Sequence, residues 1–94
     1  MDSSRVAFER FGTWKKSMMV LKLTVWANGG IRDVWKGSLS TADEDEELLF
    51  FIDAVSRRPL GFDTSGDAFE LGERTVRVLR DSGDDLLFEE FLVS

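Results

Sequence analysis

The sequence predicts an α+β domain: an antiparallel sheet of about five strands with one helix, residues 42–57, packed on one face. Three observations lead there. Residues 40–59 carry a start signal at one end and a stop at the other, Asn28-Gly29-Gly30 punctuates two apolar stretches, and 74–80 alternates cleanly. With 94 residues the chain has room for one modest core, so residues 1–94 read as a single domain.

Taken in order, residues 5–14 fit either a short helix or a leading strand, ended in both cases by Gly12. Residues 17–26 then place Met19, Leu21, Leu23 and Val25 on one face and Lys22 and Thr24 on the other, the pattern of a half-buried strand. Asn28-Gly29-Gly30 tolerates positive φ and predicts a hairpin, with the partner strand running from about Ile31 to Ser40. A three-residue loop sets Leu23 opposite Trp35 and Met19 opposite Leu39, keeping apolar pairs together and placing Trp35 in the core. It also sets Trp26 opposite Arg32, a cation–π pair, and Lys22 opposite Lys36 on a solvated face.

The helix expected at 42–57 rests on its ends and its stripe. Thr41 and Glu44 have capping-box spacing, and Asp43, Glu44 and Asp45 fall in the first turn, where exposed amides favour negative charge. Arg57 and Arg58 fall in the last turn, and Pro59 stops the segment. Leu48, Phe51, Ile52 and Val55 follow helical spacing. The rival is a strand with Leu48, Phe50, Ile52 and Ala54 on one face, favoured by β-propensity; it leads to an all-β small barrel.

Beyond it, Leu60-Gly61-Phe62 is a short extended piece and 63–67 a loop. Residues 68–71 form a strand broken at Gly72, 74–80 a second, and 81–84 a turn. Residues 86–93 return as a last strand whose acids face Arg74, Arg77 and Arg80, with a C-terminal helix from about Asp84 as the alternative.

Composition limits the chemistry. No cysteine means no disulfide, thiol nucleophile or thiolate metal site, and no histidine removes the usual general base, zinc ligand and nucleophile partner. A non-enzymatic protein without a cofactor is therefore expected. The start of the chain leads into no apolar run long enough for a signal peptide, and no segment approaches membrane-spanning length, which fits a cytoplasmic protein. Net charge is −6, divided as +4 over residues 1–40 and −10 over 41–94. An acidic chain lacks the positive field that phosphate binding needs, so nucleic acid is a poor partner.

Two spots tempt a catalytic or metal reading. Asp81-Ser82-Gly83 matches the Asp-Ser/Thr-Gly triplet of aspartic proteases, and the chain is near the size of a retroviral protease subunit. In that family the aspartate follows a hydrophobic strand near the subunit's start. Here Arg80 precedes it and thirteen residues follow, so the triplet reads as a turn. Asp63, Asp67 and Glu70 gather oxygens without the order of a calcium loop, so a carboxylate metal or hydrolytic site there ranks third among the functions considered.

Leading is a binding module whose acidic segment engages a basic protein. Capping explains Asp43 to Asp45 but not Glu46 and Glu47, which become candidate partner-binding residues. Trp26 beside Arg32 is a second candidate, as recognition patch or dimer contact. The second function considered is a structural homodimer joined through hairpin edges.

Overall fold

The helix forms at the N-terminus instead, and its stripe shows why. In the structure, a computed structural model that describes residues 3–80 and 83–91, helix α1 spans Ser3–Ser17. Ala7, Phe11 and Trp14 recur at i, i+4 and i+7 and are buried together with Phe8. Gly12 does not end the segment, because it lies off this stripe in mid-helix. The helix closes at Met18, which adopts φ 55 while Met19 N–H donates to the Trp14 carbonyl (2.9 Å) and Met18 N–H to that of Lys15 (3.2 Å). This is a Schellman motif with methionine in the place glycine usually takes.

Among the described residues seven strands follow where about five were expected: β1 Leu21–Ala27, β2 Gly30–Asp43, β3 Leu48–Asp53, β4 Pro59–Asp63, β5 Ala68–Leu71, β6 Thr75–Leu79 and β7 Asp85–Glu90. They form one antiparallel sheet in the order β4-β3-β2-β1-β7-β6-β5. The small-barrel alternative is not met, since β4 and β5 are edges and the sheet stays open. It is nevertheless strongly curled. β2 pairs with β1 over residues 30–37 and with β3 over 37–43, the two halves meeting at Gly37, where a Cβ would collide with the Ile52 carbonyl. Four inter-strand steps would hold β4 and β7 about 19 Å apart in a flat sheet, yet the Phe62 and Phe88 ring centroids are 6.4 Å apart. Helix α1 lies on the inner face: Phe11 packs on Phe88 (5.2 Å) and Phe8 on Phe69 (5.9 Å).

The segment read as a helix at 42–57 is the end of β2, a turn, β3 and a second turn. Its start signal is real but serves a turn: Asp43 Oδ1 accepts from the N–H groups of Asp45 (3.1 Å) and Glu46 (3.2 Å). Thr41 makes no capping box, being paired with Phe50. The supposed stripe breaks at Val55, which is 90% exposed, while Leu49 and Phe51 alternate into the core. Pro59 opens the edge strand β4, a position where a missing N–H costs no ladder bond.

The first hairpin corrects the expected loop and keeps most of its register. Ala27 faces Gly30 across the two-residue loop Asn28-Gly29, both residues left-handed with φ 53 and 81. A bulge between Val25 and Trp26 then takes up Arg32, so Leu23 still faces Trp35 and Lys22 still faces Lys36. Trp26 faces Ile31, not Arg32. Met19 lies outside β1 and does not pair with Leu39, and Trp35 is half-buried at the margin of the core. The extended pieces at 60–62, 68–71 and 74–80 appear as β4, β5 and β6. The last segment is strand β7, not a helix. Of its acids, Asp85 meets Arg77 (2.9 Å), while Arg80 turns to Asp67 (3.2 Å). Within the expected 81–84 turn, Asp81 and Ser82, and with them the Asp-Ser-Gly triplet, lie outside the described residues.

Candidate interaction surface

The antiparallel pairing of β3 and β4, with Leu48 opposite Asp63, brings two loops together at one end of the hairpin. The turn after β2 carries Asp43, Glu44, Asp45, Glu46 and Glu47, and the loop after β4 adds Asp63 and Asp67. Glu47 ties them: its carbonyl accepts from the Thr64 N–H (2.8 Å) and Thr64 Oγ1 (2.9 Å). Thr64 is buried at this join. To make it, Glu47 holds φ 54, a left-handed conformation unfavourable for a side chain of its kind.

Seven carboxylates thus meet one cation, Arg80, whose Nε lies 3.2 Å from Asp67 Oδ2 and whose Nη2 donates to the Asp63 carbonyl (3.0 Å). Seven acids against one base leave −6, so this end carries the whole net charge of the chain and the remainder is neutral. Beside the acids, Phe50 points outward from β3, 37% exposed, its ring against Gly61, where a Cβ would lie 2.8 Å from the ring. Interaction anchors are commonly aromatic side chains with polar and charged residues around them.

At this end Asp63 is held ionised by its own turn. Asp63 Oδ1 accepts from the Ser65 hydroxyl (2.6 Å) and amide (3.0 Å), and these bonds, with a smaller contribution from Arg80, hold its carboxyl below the ordinary aspartate range. Asp53, at the far end of β3, is lowered in the same way by the hydroxyl and amide of Ser56.

Among the sequence-derived candidates, Glu46 and Glu47 lie in this surface. Trp26 and Arg32 do not: they sit at the other end of β2, where Arg32 pairs with Asp84 (3.2 Å) and Asp33 (3.5 Å). The expected cation–π pair is not formed, and among the described residues such a contact joins Lys36 to Phe91 (4.4 Å). Asp63, Asp67 and Glu70 do not converge: Asp63 is engaged by Ser65, Asp67 by Arg80, and Glu70 stands opposite Arg77 across β5 and β6. Among the described residues no group of three or more acidic side chains is placed to hold a metal ion. No helix among them is long and apolar enough to cross a membrane. Phe50 escapes sequence reasoning because a helix reading hides its outward face, and Asp63 and Asp67 escape it because their link to residue 47 is a tertiary contact.

The β4 edge is blunted. Asp53 N–H donates to the Arg58 carbonyl (3.1 Å) and Thr64 N–H to that of Glu47 (2.8 Å), so by antiparallel alternation Pro59, Gly61 and Asp63 turn their backbone outward. Pro59 has no N–H to offer, and Arg80 occupies the Asp63 carbonyl. Little ladder is left there for a second strand. Comparison with known protein families, with curated proteins and with solved structures finds no match for this chain.

Proposed function

We propose that the protein is a non-enzymatic interaction module that engages a basic protein partner through the acidic end formed by residues 43–47 and 63–67, with Phe50 as its apolar anchor. The observation that carries this reading is the gathering of seven carboxylates, opposed by Arg80 alone, in two loops tied by Thr64, a net −6 equal to that of the whole chain. Carboxylates spaced within a Debye length of about 8 Å add their fields and steer a cationic surface toward them. Contact then desolvates Phe50, and the acids at the rim fix orientation more than they add affinity.

A homodimer paired through the β4 edge has less support, given its blunting, and a metal site less again, because the carboxylates that would build it are engaged elsewhere. E46Q/E47Q removes two charges and no turn hydrogen bond, since the Glu47 contact to Thr64 is made by the backbone carbonyl. The double variant should keep the wild-type melting temperature and weaken capture of a basic partner at least tenfold at low salt, as measured by titration calorimetry. Equal affinity of the two proteins would refute this assignment.

A further inference from the structure

At the other end of β3, about 20 Å from the acidic turn by strand rise, the surface has the opposite character. A groove of about 220 Å³ is lined by Met18, Val20, Gly37, Ser38, Ile52, Ala54 and Arg57. Met18 is 79% exposed and Val20 46%, and Val55 stands beside them in the turn after β3. Cations outnumber acids around it: Arg57, which lines the groove, and Arg58 come from that turn, Lys15 and Lys16 from the last turn of α1, and Lys36 from β2, where its carbonyl accepts from the Ala54 N–H (2.8 Å). Against them stands Asp53 at the start of the same turn, whose carboxylate is engaged by Ser56. Among the described residues none of these five cations is ion-paired. In a chain of net charge −6, five cations without an acidic partner around an exposed apolar groove select an anionic occupant with an apolar anchor. The volume is below that of a small-molecule site and suits a single large side chain.

The groove is also where the fold departs from its own stability optimum. Among the described residues four non-glycine positions have positive φ, and two of them, Met18 (φ 55) and Arg57 (φ 64), line it. Glycine would relieve either position, and a polar side chain at residue 18 would remove exposed apolar surface.

We infer that this groove receives the acidic end of a second copy of the chain, giving head-to-tail association. The inference builds on the acidic end assigned above and names one partner for it. The chemistry is matched: five carboxylates in 43–47 with Phe50 at their edge, against five cations around an apolar groove. The acidic loops and the groove stand at opposite ends of β3, so no copy can satisfy itself. A heterologous contact of this kind grows into a filament or closes into a ring.

The test is sedimentation velocity over a concentration series, at about 20 mM and about 500 mM salt, where screening lengths differ severalfold. Wild type should gain mass with concentration at low salt and revert to monomer at high salt. R57E/R58E and E46K/E47K should each be monomeric with a cooperative melt. Mixed in equal amounts, the two variants should form a 1:1 heterodimer that grows no further, because one groove and one acidic end remain intact between them. M18G should weaken association at least fivefold while raising the melting temperature. A wild type that is monomeric throughout, or a mixture of the charge variants that stays monomeric, overturns the inference. So does cosedimentation of monomeric wild type with vesicles of phosphatidylcholine and phosphatidylserine that R57E/R58E abolishes, since the groove would then be a membrane contact. If wild type is monomeric and E46Q/E47Q still weakens capture of a basic protein, only the second copy is excluded and the acidic end retains its assignment.

Discussion

Asp43, Asp53 and Asp63 do the same work in three turns: each carboxylate accepts N–H groups from residues two or three positions ahead. This is the chemistry of a helix cap used to reverse strands. It has a pH consequence at Asp63. A carboxyl held lower in the folded than in the unfolded state contributes stability that is complete above the ordinary aspartate value of 3.8, and that contribution is lost as pH falls through the folded value. Ser65→Ala removes the main cause of the shift, so NMR titration should find the Asp63 carboxyl returned toward its ordinary value, and acid unfolding should begin at higher pH. An unchanged titration would mean the hydroxyl contact is absent in solution. Glu47→Gly relieves the left-handed backbone and should stabilise the protein by about 1 kcal/mol in chemical denaturation, while removing one acid from the surface.

Two glycines separate what an element needs from what it tolerates. Gly12 lies within α1, where an added Cβ meets nothing within 4 Å, so Gly12→Ala should stabilise by about 0.5–1 kcal/mol through helix propensity alone. Gly37 is the point where β2 passes from β1 to β3 against the Ile52 carbonyl, and Gly37→Ala should cost about 1–3 kcal/mol through backbone displacement. Urea unfolding with a common slope measures both. The same contrast separates the elements that are legible in the sequence from those that are not. Alternation locates β1 and β6, because a period of two with one buried face arises from a strand and from little else, and bracketing turn residues locate β5 and β7. It fails at 42–57, where Asp43 caps a turn with a helix-like start signal and Arg57, Arg58 and Pro59 imitate a helix end, which together outweigh the alternation of Leu49 and Phe51. In α1 the stripe of Ala7, Phe11 and Trp14 is present but short, and Gly12 imitates a stop that it does not enforce.

Across the molecule, folding turns a charge difference between the two halves of the sequence into a difference between two ends. The acids of 43–47 and 63–67 meet because β3 and β4 are antiparallel, and the cations of the groove gather where α1 ends beside the turn after β3. The excess at Glu46 and Glu47 is legible without the fold. The grouping of those residues with Phe50, Asp63 and Asp67 is not, since it depends on which strand ends are neighbours. Trp26 and Arg32 illustrate the same limit: they are close in sequence to a hairpin and remote from the acidic end. The claim that this end is where the protein binds is tested most directly by comparing wild type with E46Q/E47Q, immobilised at equal density, for proteins retained from lysate at about 20 mM and about 500 mM salt. The account predicts a basic protein that wild type retains at low salt only and the double variant fails to retain, the two melting at the same temperature. Equal retention of every protein by both would contradict it.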